Sequence, residues 1–304
     1  MINTINEINK AATEDAGQFI LQGDTEYKNR ICDIAKTIAD DDDIKIVSIA
    51  GPSGSGKTTT AHILCQRLEE LDETVEVVSL DDFYLENDKL PLLPDGSLDI
   101  ESVNSLDIQR IKKCFNEIVA SGKTVLPQFD FKTKTRNDSH REIDIGNRGI
   151  IIVEGLHAMN PLITGLVPAK NIFKVYISVN VPIEDDNGQQ VLSSRQIRLV
   201  RRMLRDEQFR NATAEDTLKL WNNVIDGESK YLYCFKNTAD VCLTTLHPYE
   251  LGVYKKRFCA LRNTVGKNTP CREFFLDTVN AMERFVYIDA SLVPETALIR
   301  EFIG

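Results

Sequence analysis

Residues 44 to 64 read Ile-Lys-Ile-Val-Ser-Ile-Ala-Gly-Pro-Ser-Gly-Ser-Gly-Lys-Thr-Thr-Thr-Ala-His-Ile-Leu. Ile44, Ile46, Val47, Ile49 and Ala50 form a short apolar, β-branched run, too short for a helix and suited to a buried parallel strand. Gly51, Gly54 and Gly56 follow, in a loop that bulky side chains could not make. Lys57 and Thr58 complete G-x-x-x-x-G-K-[ST]. Ala61, Leu64, Cys65 and Leu68 then recur at helical spacing. Strand, glycine loop and helix in that order turn a string match into a phosphate cradle. Backbone N–H groups of residues 53–58 would face one concavity at a helix N-terminus, a nest for phosphate oxygens. Lys57 would reach the β- and γ-phosphates, and the Thr58 hydroxyl would face Mg²⁺.

Working outward, residues 74–80 form a second apolar strand that runs into Asp81 and Asp82. A carboxylate at such a strand end can take a proton from a substrate hydroxyl or hold Mg²⁺; the alternative is a pair of turn-capping aspartates. On an extended strand end, neighbouring side chains diverge, so only one of the two would face the phosphates. Ile150-Ile-Ile-Val153 ends in Glu154, an acid after four apolar residues, placed to hold a metal ion or its water shell. His157 either touches substrate or packs. The three polar signatures each follow a strand, and ligands of parallel α/β sheets bind at the carboxyl ends of strands, so the three should converge on one edge.

Strands are also expected near 124–131, 172–179 and 239–244, a helix over 100–120, and a polar, basic loop over 132–141. Arg195, Arg198, Arg202 and Arg205 fall within about 80° of one another on a helix at ~100° per residue, opposite Ile197, Val200 and Leu204. This face is either simply solvated or part of a lid that closes on a triphosphate. Residues 1–43 read as a polar helical segment with an amphipathic stripe at residues 31, 34, 35 and 38 and aspartates 40–43 as a solvated linker, 44–245 as the central domain, and 246–304 as a helical extension. The expected fold is α/β: a P-loop NTPase fold, mostly parallel sheet flanked by helices, with N- and C-terminal helical extensions.

The formal charge of −10 argues against general nucleic-acid binding. Seven cysteines without C-x-x-C spacing read as reduced, mostly packed thiols. No secretory leader pattern and no apolar run approaching ~18 residues are present, so the expectation is a cytoplasmic chain without a membrane partner. Assembly into a homo-oligomer stays open.

Gly51-Pro-Ser-Gly-Ser-Gly-Lys-Thr-Thr, Leu80-Asp-Asp-Phe-Tyr, Pro127-Gln-Phe-Asp-Phe-Lys-Thr-Lys-Thr-Arg136, Val153-Glu-Gly-Leu-His-Ala158 and Arg201-Arg-Met-Leu-Arg-Asp206 resemble, in order, the motifs of the uridine kinase and phosphoribulokinase family. The likeness spans roughly residues 45–245. His247-Pro-Tyr-Glu-Leu-Gly and Leu298-Ile-Arg-Glu-Phe-Ile-Gly304 resemble bacterial uridine kinase-like nucleoside kinases. The resemblance implies ATP- and Mg²⁺-dependent phosphorylation of a nucleoside 5′-hydroxyl. It makes Gly51, Pro52, Ser53, Gly54, Ser55, Gly56, Lys57, Thr58 and Thr59 the ATP cradle. It makes Asp81 the base, with Lys57 and Arg205 as catalytic cations, and sets Thr58, Glu154 and Asp81 on the metal side. Asp99 would bind the ribose hydroxyls and Phe129 the base, with Tyr84, Arg136 and Arg210 also on the substrate side. Lys134 stands where many uridine kinases carry a base-reading histidine, a departure that bears on the base rather than the reaction. A kinase of another hydroxylated molecule, such as a sugar phosphate, and a nucleotide-binding regulatory module are the rival readings.

Overall fold

The computed structural model describes all residues except 1, 93–95, 97, 131, 132 and 134. The chain begins with α1 (Ile5–Ala39), then β1 (Ile46–Ala50), α2 (Lys57–Glu69) and β2 (Val75–Ser79). After α3 (Ile108–Ser121) come the hairpin strands β3 (Lys123–Asp130) and β4 (Thr135–Asp144), β5 (Ile150–Glu154), the short α4 (Pro161–Thr164) and β6 (Ile172–Ser178). A small hairpin, β7 (Ile183–Glu184) and β8 (Gln190–Leu192), leads into α5 (Ser194–Arg210) and α6 (Ala214–Tyr231). β9 (Val241–Thr244), α7 (Glu250–Ala260), α8 (Arg272–Met282) and α9 (Arg300–Ile303) complete the order.

The main sheet is parallel throughout, in the order β2-β5-β1-β6-β9. Both of its faces are covered, which is why its strands read as continuous apolar runs. The period of two divides them cleanly. Val47, Ile49, Ile150, Ile152, Val175 and Ile177 point into one buried cluster with α1, α2 and α5 to α9. Ile46, Ala50, Ile151, Val153, Ile172 and Tyr176 point into the other, with α3 and the β3–β4 hairpin. The expected α/β architecture is therefore present.

Several expectations are corrected. The apolar stripe expected at residues 31, 34, 35 and 38 is buried, but burial reaches further back than expected, with Ile8, Ile20 and Tyr27 also in the main core. Asp15 leaves helical dihedrals at φ −159° and ψ 93°, and its carboxylate accepts from Gln18 N–H, restarting the helix after a kink. The helix expected from residue 100 starts at Ile108, where Asp107 caps it through Arg110 N–H; Val103–Ser105 is a separate short turn. The expected loop 132–141 is largely strand, since β4 pairs antiparallel with β3, Phe129 opposite Arg136. Only Ile143 along β4 is buried, so it lacks the alternation that would have marked it.

Candidate active site

The loop 51–56 connects β1 to α2 as expected. Gly54 and Gly56 take left-handed φ values of +73° and +84°, where a β-carbon is strained. At Gly54 it would also come within 2.9 Å of the Arg198 carbonyl. The loop is held from behind by buried charge. Arg201 is fully buried; it pairs with Glu250 at 2.8 Å and donates to Gly54 O at 3.2 Å. Thr245 Oγ1 donates to Ser55 O at 2.7 Å. Tyr27 of α1 meets Thr60 Oγ1 at 2.7 Å, and Thr60 bonds Gly56 O. Three separate elements thus fix three successive carbonyl positions, while Ser53 N–H donates to Glu228 at 2.8 Å and Ser55 N–H to Pro52 O at 3.2 Å.

Lys57 opens α2, and Thr58 is exposed beside it. Lys57 Nζ reaches Pro52 O at 3.3 Å. Burial lowers the Lys57 pKa, opposed by the charges of Glu154, Asp81 and Glu301. Asp81 and Asp82 do not extend β2. They sit on a 3₁₀ turn, Leu80–Phe83, capped by Ser79 Oγ. Their divergence therefore comes from the turn, and the argument from an extended strand is corrected. Asp81 lies in the fields of Lys57, Arg210 and Arg205, while Asp82 turns to accept from Phe129 N–H at 3.4 Å. Asp81 is reached by solvent but walled by protein on most sides, and that desolvation raises its pKa against the pull of the three cations.

Glu154 is buried at the end of β5 and accepts from Ser79 Oγ at 2.8 Å. Burial first, then the Asp81 charge, push its carboxyl up to about 7, with Lys57 opposing. The Asp81 and Glu154 carboxylates, in the field of Lys57, are hard oxygens of the kind Mg²⁺ takes, and Thr58 stands exposed at the start of α2. No group of three or more His, Cys, Asp or Glu side chains among the described residues is arranged to hold a metal ion by itself. Two carboxylates and a hydroxyl are fewer than a full coordination shell, so an ion placed there would need oxygens from phosphate and water as well.

The arginine helix is not a separate lid. It packs directly on the loop, with Ile197, Leu199, Val200, Met203 and Leu204 buried. Most of its arginines are matched by acids, Arg198 with Glu228 at 2.7 Å and Arg202 and Arg205 with Asp206 at 3.3 and 2.9 Å, while Arg195 shows no ion pair among the described residues. Arg202 also donates to Ser53 Oγ at 2.7 Å. Arg210 keeps more exposure and pairs loosely with Asp206 at 3.6 Å.

On the other flank, Asp99 accepts from Tyr231 at 3.4 Å. Tyr84 and Phe129 face each other at 5.9 Å, a wall for a planar group. His157 is packed: Nε2 meets Glu101 O at 3.0 Å and the ring edges against Tyr231 at 5.5 Å, behind Asp99. Arg136 is largely buried between Asp107 at 3.0 Å and Asp138 at 2.7 Å, so it braces the hairpin. Lys134 lies outside the described residues.

Sequence reasoning missed Glu228 and Glu301. Glu228, whose Oε1 accepts from Ser53 N–H at 2.8 Å, follows Leu218, Trp221 and Ile225 on one helix face. An acid on an apolar stripe is the signal that could have found it. Glu301 accepts from Thr59 Oγ1 at 2.6 Å and lies between the buried Ile299 and Phe302.

The family model described as "Phosphoribulokinase / Uridine kinase family" matches residues 46–250. A uridine kinase of Ureaplasma parvum serovar 3 is 26% identical over 180 residues, 59% of this chain and 77% of the relative. A uridine kinase of Lactobacillus johnsonii is 26% identical over 194 residues, 61% of this chain and 82% of the relative. In structure, the chain is similar to a candidate fructose transport system kinase from Silicibacter sp. TM1040, with a TM-score of 0.50 at 19% identity, covering 66% of this chain and 89% of that one.

Proposed function

The chain belongs to the phosphoribulokinase / uridine kinase family, and from that membership we propose that it phosphorylates the 5′-hydroxyl of a nucleoside, using ATP with Mg²⁺. The observation that carries the reading is the grouping of Lys57, Asp81 and Glu154, near enough to shift one another's charge, at the edge where the phosphate loop opens. A regulatory module has no need of that intact set.

Asp81 is the proton acceptor. As the substrate hydroxyl oxygen bonds to the γ-phosphorus, its proton passes to the Asp81 carboxylate and the bond to the β-phosphate oxygen breaks, releasing ADP. Desolvation raises the Asp81 pKa, which makes it a better base, and the cations around it oppose that rise. Lys57 and the loop N–H groups hold the phosphate chain in line. Arg205 and Arg210 offset charge that moves during transfer. Mg²⁺, when bound, would neutralise phosphate oxygens, held from the Thr58, Glu154 and Asp81 side. Asp99, supported by Tyr231, accepts from ribose hydroxyls, and the Tyr84–Phe129 wall takes the base.

The test is ADP release across a panel of nucleosides and sugar phosphates. Stimulation by one nucleoside supports the reading. Stimulation by a sugar phosphate alone replaces the acceptor, and ATP binding without stimulation by any acceptor removes the activity.

A further inference from the structure

Glu301 stands on the third residue of the P-loop helix. Its Oε2 accepts from Thr59 Oγ1 at 2.6 Å and from Thr59 N–H at 3.4 Å. Thr59 N–H is one of the unpaired donors at the start of α2, the kind that binds phosphate. The main chain carrying Glu301 is fixed. Leu298, Ile299 and Phe302 are buried, and Leu298 fills the space beside Gly56. Arg201 lies 5.0 Å over the Phe302 ring, and Arg257 donates to Ile303 O at 3.1 Å. The Glu301 side chain, in contrast, is only partly buried, and among the described residues no Lys or Arg forms an ion pair with it. It is a carboxylate without a direct ion pair, in the fields of Lys57, Arg201 and Arg210, on a donor that a phosphate group needs.

We propose that Glu301 is an internal competitor for the phosphate site: its carboxylate holds Thr59 when nucleotide is absent, and the nucleotide's α-phosphate displaces it. This rests on the reading of residues 51–59 as a nucleotide site. Two anions cannot share one donor, and the repulsion is steep at contact distance and weaker once solvent intervenes. Since the backbone is anchored, displacement is a rotation of one side chain and not an opening of the segment. The competition lowers affinity for ATP and ADP alike. Its return to Thr59 helps to eject the spent nucleotide, a step that often limits turnover in kinases.

Calorimetric titration of ADP tests this in the full chain. Glu301→Gln keeps size and hydrogen bonding but removes the charge. Glu301→Asp is one methylene shorter and withdraws from Thr59. Both should bind ADP about tenfold more tightly than the wild type. Equal or weaker binding by these variants overturns the inference. Should neither variant fold, the ¹³C signal of the Glu301 carboxylate in the wild-type chain decides: a shift on ADP saturation supports displacement, and an unmoved signal overturns it. Wild-type protein that binds no ADP overturns the nucleotide reading as well, whereas wild-type binding without a gain in the variants overturns the competitor alone.

Discussion

Two adjacent acids with the same chemistry are given different work by one turn. Asp81 lies in the fields of Lys57 and two arginines; Asp82 holds the Phe129 amide. Asp81→Asn keeps the shape but removes proton acceptance, and should lower kcat by roughly 10²–10⁴. Asp82→Ser should lose far less, and shows its effect in KM because Phe129 loses its anchor. Steady-state kinetics with saturating ATP separates the two; a dead Asp82→Ser beside an active Asp81→Asn would reverse the assignment. Histidines make a second residue-scale case. Burial pushes His247 down to about 3 and His157 to about 4. The folded chain therefore leaves both neutral near pH 5, where an unfolded chain, with its ordinary value near 6.5, binds the protons. Their contribution to stability is complete above about pH 6.5 and is lost as pH falls toward those values, by about 2 kcal/mol each at pH 5. Asp24, whose carboxyl is raised by burial, works in the opposite direction. Urea unfolding at pH 7.5 and 5 should show a smaller fall for His247→Gln than for the wild type; equal falls would mean that His247 titrates freely in the fold.

At the scale of elements, α5 shows where sequence patterning reaches its limit. The helix and its two faces were legible from spacing. That Arg198 and Arg201 would be buried was not, because their partners Glu228 and Glu250 lie 30 and 49 residues away. Long-range charge pairing leaves no local period. β1 and β5 were legible because both faces of each strand are buried, and β4 was missed because almost none of it is. The site divides the same way. The glycine loop, Asp81 and Glu154 each announce themselves next to an apolar strand, while Glu301 is defined only by what folds against it. The Arg201–Glu250 pair yields a prediction of its own. Arg201→Met leaves a buried carboxylate unpaired and should cost about 3–5 kcal/mol, with nucleotide affinity falling as Gly54 loses its support. Combining Arg201→Met with Glu250→Leu should recover much of the stability but not the affinity, measured by urea unfolding and ADP titration. Additive losses in stability would show that the two side chains do not act as a pair.

Across the whole molecule, the buried cluster runs through the expected boundaries at residues 43 and 245. Ile31 of α1 is fully buried in the cluster that holds Trp221 of α6. Ile31→Ala should cost about 2–5 kcal/mol. Unfolding followed by fluorescence of the single tryptophan and by far-ultraviolet circular dichroism should shift together, in one transition. Separate transitions would show α1 melting on its own. The supports behind the phosphate loop carry a further consequence, for the time course of ligand capture. With Gly54, Ser55 and Gly56 already tied at their carbonyls, the main chain has no slow rearrangement to make when a ligand arrives. What remains is side-chain rotation, complete within nanoseconds. Rapid mixing with a fluorescent nucleotide should therefore give a single exponential whose observed rate climbs in proportion to concentration, with no plateau.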